Sequence, residues 1–137
     1  MLGGTAEIAD LHLTEANRAD AKVFVENCLI PREFSLLDRH MMSDLIQHYP
    51  ELPDGLAAYR KAMARETDWA PDVQYNKLHK VLAEGNFVLC MSEGTLHGAY
   101  TSFYDLFRFE NGKIAEHWDT IETIAPRDQW KNENGRF

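Results

Sequence analysis

The stretch Asp105-Leu-Phe-Arg-Phe-Glu-Asn-Gly-Lys-Ile-Ala-Glu-His-Trp-Asp119 alternates apolar and polar residues on both sides of Asn111-Gly112. Period-two alternation across an Asn-Gly pair predicts two antiparallel strands joined by a tight turn. Two loops are compatible with it. A two-residue loop at Asn111-Gly112 sets Asp105 opposite Trp118 and Tyr104 opposite Asp119. A three-residue loop, Glu110-Asn111-Gly112 with Gly112 left-handed in a G1 bulge, pairs Phe109 with Lys113, Asp105 with His117 and Phe103 with Asp119. The choice matters because a slip of one residue turns side chains to the opposite face. In the second register one face carries Phe103, Asp105, Phe107, Ala115, His117 and Asp119. The other carries Tyr104, Leu106, Arg108, Ile114, Glu116 and Trp118. Two carboxylates and an imidazole among Phe and Ala have the composition of a polar group in an apolar cavity. There burial and mutual charge tune carboxyl groups for acid/base work. The competing reading is an amphipathic hairpin with its charges at the rim.

Upstream of the hairpin, Val73–Asn76, Asn86–Glu93 and Ala99 onward are rich in Val, Phe, Tyr and Thr. They are punctuated at Glu84-Gly85-Asn86, Glu93-Gly94 and His97-Gly98, and read as strands. The first half reads as helix. Thr14 is the expected cap of a helix from Glu15 to near Leu29, whose Ala21, Phe24, Val25 and Cys28 form one apolar stripe. Pro31 is expected to open a short second helix carrying Phe34, Leu36 and Leu37. A third follows Pro53-Asp54-Gly55, with Asp54 as its cap and Leu56, Tyr59 and Met63 on one face. Helices followed by a meander of strands predict an α+β fold with the helices packed on one face of a curved sheet.

The 137 residues suffice for one domain, with segments 1–13 and 128–137 expected to be peripheral. Against 22 Asp+Glu stand 14 Lys+Arg, leaving a net charge of −8. Such a surface repels phosphate backbones and anionic lipid, so neither nucleic acid nor membrane is an expected partner. Uninterrupted apolar runs fall far short of the ~20 residues of a bilayer span. The first ten residues carry acids where a signal peptide needs bases, which points to a cytoplasmic protein. Cys28 and Cys90 lie far apart among apolar neighbours and read as small core residues rather than a disulfide or zinc pair.

The hairpin from Asp105 to Asp119 resembles the closing hairpin of SnoaL-like proteins, the polyketide-cyclase-related branch of the nuclear-transport-factor-2-like superfamily. Leu45-Ile-Gln-His-Tyr-Pro50 with Pro53-Asp-Gly55 is similar to that branch's Tyr-Ile-Gln-His-Asn-Pro segment and following helix. Asn17, Ala83-Glu-Gly85 and Asn134-Gly-Arg-Phe137 also fit, so the resemblance spans residues 14 to 137. It implies a single SnoaL-like domain over 1–137: a cone-shaped, curved mixed or antiparallel sheet wrapped around three N-terminal helices and an internal pocket. It also implies that Asp105, His117 and Asp119 point inward.

The resemblance further implies cofactor-independent chemistry beside a carbonyl, as an aldol-type cyclisation, isomerisation or lyase reaction through an enolate, with no metal. Asp119 matches the acid/base of polyketide cyclases. Asp105 sits in the Asp-x-Phe-Arg-Phe context of the protonated donor in ketosteroid isomerases. His117 and His48 are the expected helpers in proton transfer, and Phe103, Phe107 and Gln47 the expected substrate contacts. Two departures are Tyr49 for the usual Asn and Leu45 for the usual Tyr. The Asp-Arg-Asp relay of limonene-epoxide-hydrolase relatives is not assigned, because Arg108 falls on the opposite hairpin face from Asp105. The partner is a small molecule, and Tyr104, Leu106 and Trp118 offer a face for a homodimer. The alternatives are a pocket protein that binds a hydrophobic ligand without altering it, and a dimerisation module with a vestigial site.

Overall fold

A computed structural model describes residues 2–137; Met1, at the start of the segment expected to be peripheral, lies outside the described residues. Helix α1 (Thr14–Phe24) runs into a wider π-helical turn at Val25–Leu29, and a 3-10 turn at Phe34–Leu36 leads into α2 (Leu37–His40). Strand β1 (Met41–Gln47) and helix α3 (Leu56–Met63) follow. The second half is a meander of β2 (Val73–Glu84), β3 (Phe87–Leu96), β4 (Ala99–Glu110) and β5 (Lys113–Thr123). These form one open mixed sheet of order β1-β5-β4-β3-β2, in which only β1 is parallel to its neighbour.

The α1 stripe is buried as its spacing predicts, with Ala21, Phe24, Val25 and Cys28 all inaccessible. Phe24 meets Phe107 of β4 edge-on at 5.6 Å, which seats the helix on the inner face of the sheet. Each such fully buried aromatic or aliphatic side chain contributes about 1.5–3 kcal/mol. Neither expected cap acts as one. Thr14 instead accepts from Gly85 N–H at 2.8 Å and donates to Leu11 C=O, while Asp54 accepts from Gln47 N–H at 2.8 Å. The second helix begins at Phe34 rather than Pro31, because Arg32 takes a left-handed φ of 60° that breaks the chain first. The Arg32 guanidinium donates to Val73 C=O and Met63 C=O at 3.0 and 2.7 Å, tying the turn to the start of β2 and the end of α3.

Two strands exceed what local pattern foretold. In β1 only Met41 and Leu45 are buried, a spacing of four that carries no strand alternation. Strand β2 runs to Glu84, past the Asn76 end of the expected stretch; irregular pairing between Tyr75 and Lys77 and between Leu78 and Lys80 erases its period.

The closing hairpin follows the two-residue register only as far as Phe109 and Ile114, and neither expected register beyond them. Glu110 pairs with Lys113 across a two-residue Asn111-Gly112 turn, both residues at positive φ as a type I′ turn requires. Phe109 then pairs with Ile114 but Arg108 with Glu116, so Ala115 is the extra residue of a bulge. Beyond it Phe107 faces His117, Asp105 faces Asp119 and Phe103 faces Ile121. Asp105 is therefore opposite Asp119, not His117 or Trp118. Relative to the three-residue loop, partners move by two residues, which preserves the faces of Asp105, His117 and Asp119. Ile114 lies before the bulge and turns into the core instead of the outer face.

The chain termini lie on the outer face. Asn86 N–H donates to Ala9 C=O and the Asn86 side chain accepts from Ala9 N–H, both at 2.9 Å. Trp118 Nε1 donates to Gly3 C=O, and Thr5 N–H to Glu116 Oε2, at 3.2 and 3.3 Å. At the other end Arg136 stands 5.5 Å over the Tyr104 ring, and Phe137 stacks on His79 at 4.3 Å. No helix among the described residues is long and apolar enough to cross a membrane.

Candidate active site

Because residues of one parity share a face, β4 aims Asp105 and β5 aims His117 and Asp119 at the helices. Asp105 and His117 are 1% and 3% exposed, and Asp119 is half-buried. Asp105 Oδ1 lies 2.8 Å from His117 Nε2, and Asp105 Oδ2 accepts from the Tyr75 hydroxyl at 2.8 Å. On its other side His117 Nδ1 lies 2.9 Å from Gln47 Oε1, an oxygen that also takes the Tyr49 N–H at 3.1 Å. Phe107 lies nearly flat on the imidazole at 5.2 Å, and Tyr59 meets it edge-on at 6.2 Å.

A small cavity of about 30 Å³ opens onto His117 and Asp119 and is otherwise walled mainly by Tyr49, Leu52, Tyr59, Met63 and Tyr75. That volume is about the share of one water molecule in the liquid. Burial, with the charge of Asp105 adding and that of His117 opposing, pushes the Asp119 carboxyl up to about 6. Burial followed by the Asp105 charge also pushes the Tyr59 and Tyr75 hydroxyls well above their ordinary range, so both stay protonated donors. An acid near 6 is a carboxylate at neutral pH yet takes up a proton readily, as a general base must.

Asp105, His117 and Asp119 are thus brought together, as expected, but the other candidates are not all. His48 does not reach them. Gln47 ends β1 and His48 follows it, so the two successive side chains point to opposite faces. His48 N–H donates to His117 C=O at 2.9 Å, while its ring lies outside, 2.7 Å from Glu116 Oε2 and stacked on Trp118 at 4.6 Å. A catalytic role for His48 in this cavity is therefore withdrawn. Phe103 and Phe107 are fully buried and form its second layer rather than its wall, Phe103 stacking on Tyr75 at 4.5 Å. They back the groups that a ligand would meet. Gln47 spends its oxygen on His117.

Two residues of this site, Tyr75 and Tyr59, are not marked as such by the sequence. Tyr75 stands at an inward position of β2, two strands away from β4 in the sheet, and Tyr59 appears in sequence only as part of the α3 apolar stripe. Nothing local marks either as a neighbour of Asp105 or His117. On the outer face Arg108 Nε donates to Glu116 Oε1 at 2.8 Å, consistent with its exclusion from the Asp105 group. Burial alone would raise the Glu116 carboxyl, but bonds from His48, Arg108 and Thr5 outweigh it and hold the group below the usual carboxylate range.

The same inner triad offers one ligand atom each from Asp105, His117 and Asp119, all within 4.8 Å of one another, so a divalent cation and a proton-transfer reaction would draw on the same atoms.

A family model described as SnoaL-like polyketide cyclase matches residues 19–130. No curated protein matches the sequence. Among solved structures, a protein from Kribbella flavida DSM 17836, provisionally a ketosteroid isomerase, aligns with a TM-score of 0.71 at 18% identity, covering 90% of this chain and 93% of its own. A SnoaL-like polyketide cyclase from Agrobacterium tumefaciens str. C58 aligns at 0.63 and 12%, covering 77% and 91%. An epoxide hydrolase of the LEH-like type from M. tuberculosis aligns at 0.60 and 19%, covering 80% and 84%. At these identities the likeness is one of fold.

Proposed function

Because the chain belongs to the SnoaL-like polyketide cyclase family, we propose that it is a small-molecule enzyme performing acid/base chemistry beside a carbonyl, without a cofactor. One observation carries the reading: a half-buried Asp119 with its carboxyl near 6 shares a cavity with His117, which Asp105 holds from behind. In this reaction the Asp119 carboxylate takes the proton from the carbon next to a ketone. The Tyr59 hydroxyl, which lines the cavity and stays protonated, hydrogen-bonds the oxygen on which enolate charge develops. Return of the Asp119 proton to another carbon gives an isomerisation. Attack of the enolate carbon on a second carbonyl of the same molecule gives a ring, with the Asp119 proton passing to the new alkoxide.

Proton exchange in heavy water tests this. The protein is incubated with β-keto esters, 1,3-diketones and hydroxy-ketones, and loss of the α-proton is followed by NMR. Exchange above buffer that vanishes in Asp119→Asn supports the reading, and equal exchange in that variant at matched stability removes it. A second reading is favoured by the apolar lining of the cavity: a protein that holds a hydrophobic ligand and returns it unchanged. Recovery of an unaltered bound ligand, with no exchange on its α-carbon, distinguishes the two.

The protein is further proposed to be cytoplasmic and to pair with a second copy through the outer sheet face, where Phe87, Leu106 and Trp118 line an apolar hollow of about 380 Å³. A strict monomer in sedimentation at micromolar concentration overturns the dimer.

A further inference from the structure

We infer that Gln47 is a positioning residue whose side-chain oxygen locks the tautomer of His117. The geometry stands without a reaction; its effect on rate rests on the acid/base reading above.

A backbone N–H can only donate, so the Gln47 atom facing Tyr49 N at 3.1 Å is the carbonyl oxygen, and the backbone itself orients the amide. The same oxygen faces His117 Nδ1 at 2.9 Å, and two acceptors would repel at that distance, so Nδ1 carries a proton. Gln47 Nε2 is buried without a partner. The fold thus tolerates an orphan donor to keep this oxygen in place.

With Nδ1–H held, the contact between His117 Nε2 and Asp105 Oδ1 at 2.8 Å also needs one proton, on either atom. Tyr75 donates to Asp105 Oδ2, so an acid proton on Asp105 belongs on Oδ1. In both arrangements His117 and Asp105 together carry two protons and no net charge. Without the Gln47 oxygen, a neutral Nε2–H imidazole beside an Asp105 carboxylate becomes available, and the pair carries one negative charge next to Asp119. Among the described residues the titratable groups around His117 are Asp105 from β4, Asp119 from β5, Tyr49 from the loop after β1, Tyr59 from α3 and Tyr75 from β2; none of them supplies a compensating cation. Gln47 therefore keeps the pair neutral and spares Asp119 a like charge.

The test is long-range proton–nitrogen NMR of the ¹⁵N-labelled full chain at neutral pH. The wild type should show His117 Nδ1 protonated. Gln47→Leu should move the proton to Nε2, and Gln47→Glu, which keeps an acceptor oxygen, should restore Nδ1–H. A bare Nδ1 in the wild type overturns the proposal without any variant, as does Nδ1–H retained in a folded Gln47→Leu. In the exchange assay the acidic limb of the pH profile should move up by about one unit in Gln47→Leu; Gln47→Glu restores the tautomer but not the limb, because its carboxylate brings a like charge of its own near Asp119. Nδ1–H in a wild type that shows no exchange on any substrate leaves the lock standing and counts against the enzyme. Exchange with a bare Nδ1 sinks the lock alone.

Discussion

Asp105 and Asp119 face each other directly across the β4–β5 ladder, yet their surroundings differ. Asp105 is saturated, taking Tyr75 on one oxygen and His117 on the other. Asp119 stands at the cavity wall, its carboxyl shifted by burial and by the charges of His117 and Asp105 rather than by hydrogen bonds. Two carboxylates in register are thereby given separate work: one anchored, the other left to exchange a proton.

Asp119→Asn should lower α-proton exchange by at least ~10²-fold. It should also stabilise the fold at pH 7. The folded carboxyl sits near 6 against an ordinary 3.8, so the native state binds the proton more tightly than the unfolded chain. The penalty for carrying the charge is absent below about 3.8, grows as pH rises, and is complete above about 6. A higher melting temperature for the variant at pH 7, shrinking to no difference near pH 3.5, is the expected result of thermal scans.

Glu116 has the opposite sign. Its folded carboxyl is held below the ordinary 4.5, so its stabilisation is present above 4.5 and is lost as pH falls through the lower folded value. Glu116→Gln should cost about 3 kcal/mol at pH 7 because it leaves Arg108 and His48 without their shared anion. Urea unfolding at pH 7 and pH 3 measures this, and the gap between variant and wild type should narrow in acid.

Gly4 packs directly on that ion group: a Cβ there would fall 2.1 Å from Glu116 Oε2 and 2.5 Å from His48 Nε2, at a φ of +74° that side chains disfavour. Gly4→Val should therefore lift the N-terminal arm while the sheet stays folded. Faster hydrogen exchange at the Thr5 amide and altered Trp118 fluorescence, with β-strand amides still protected, is the expected pattern.

Tyr75→Phe removes the hydroxyl bonded to Asp105 Oδ2. Leaving that buried oxygen unpaired should cost about 1–3 kcal/mol of stability. Loosening of the His117–Asp105 pair should slow exchange by about tenfold. A urea midpoint unchanged from wild type would show that the hydrogen bond contributes nothing.

By itself the sequence determined the α+β order, the α1 stripe, the turn at Asn111-Gly112 and, through the family resemblance, the common inward face of Asp105, His117 and Asp119. These are properties of local period and turn chemistry, read along the chain over a few residues. Tertiary structure alone decided who stands opposite whom. Beyond Ile114 the bulge at Ala115 replaced both expected registers, because where an extra residue is absorbed depends on packing that brings Phe109 and Ile114 into the core. Tertiary structure alone turned His48 outward to Glu116 and brought Tyr75 on β2 to Asp105 on β4, two strands away. β1, with two buried residues, owes its form to backbone pairing with β5. The cavity volume is what remains after Tyr49, Leu52, Tyr59 and Met63 have packed, a difference between large volumes that no stretch of chain encodes on its own.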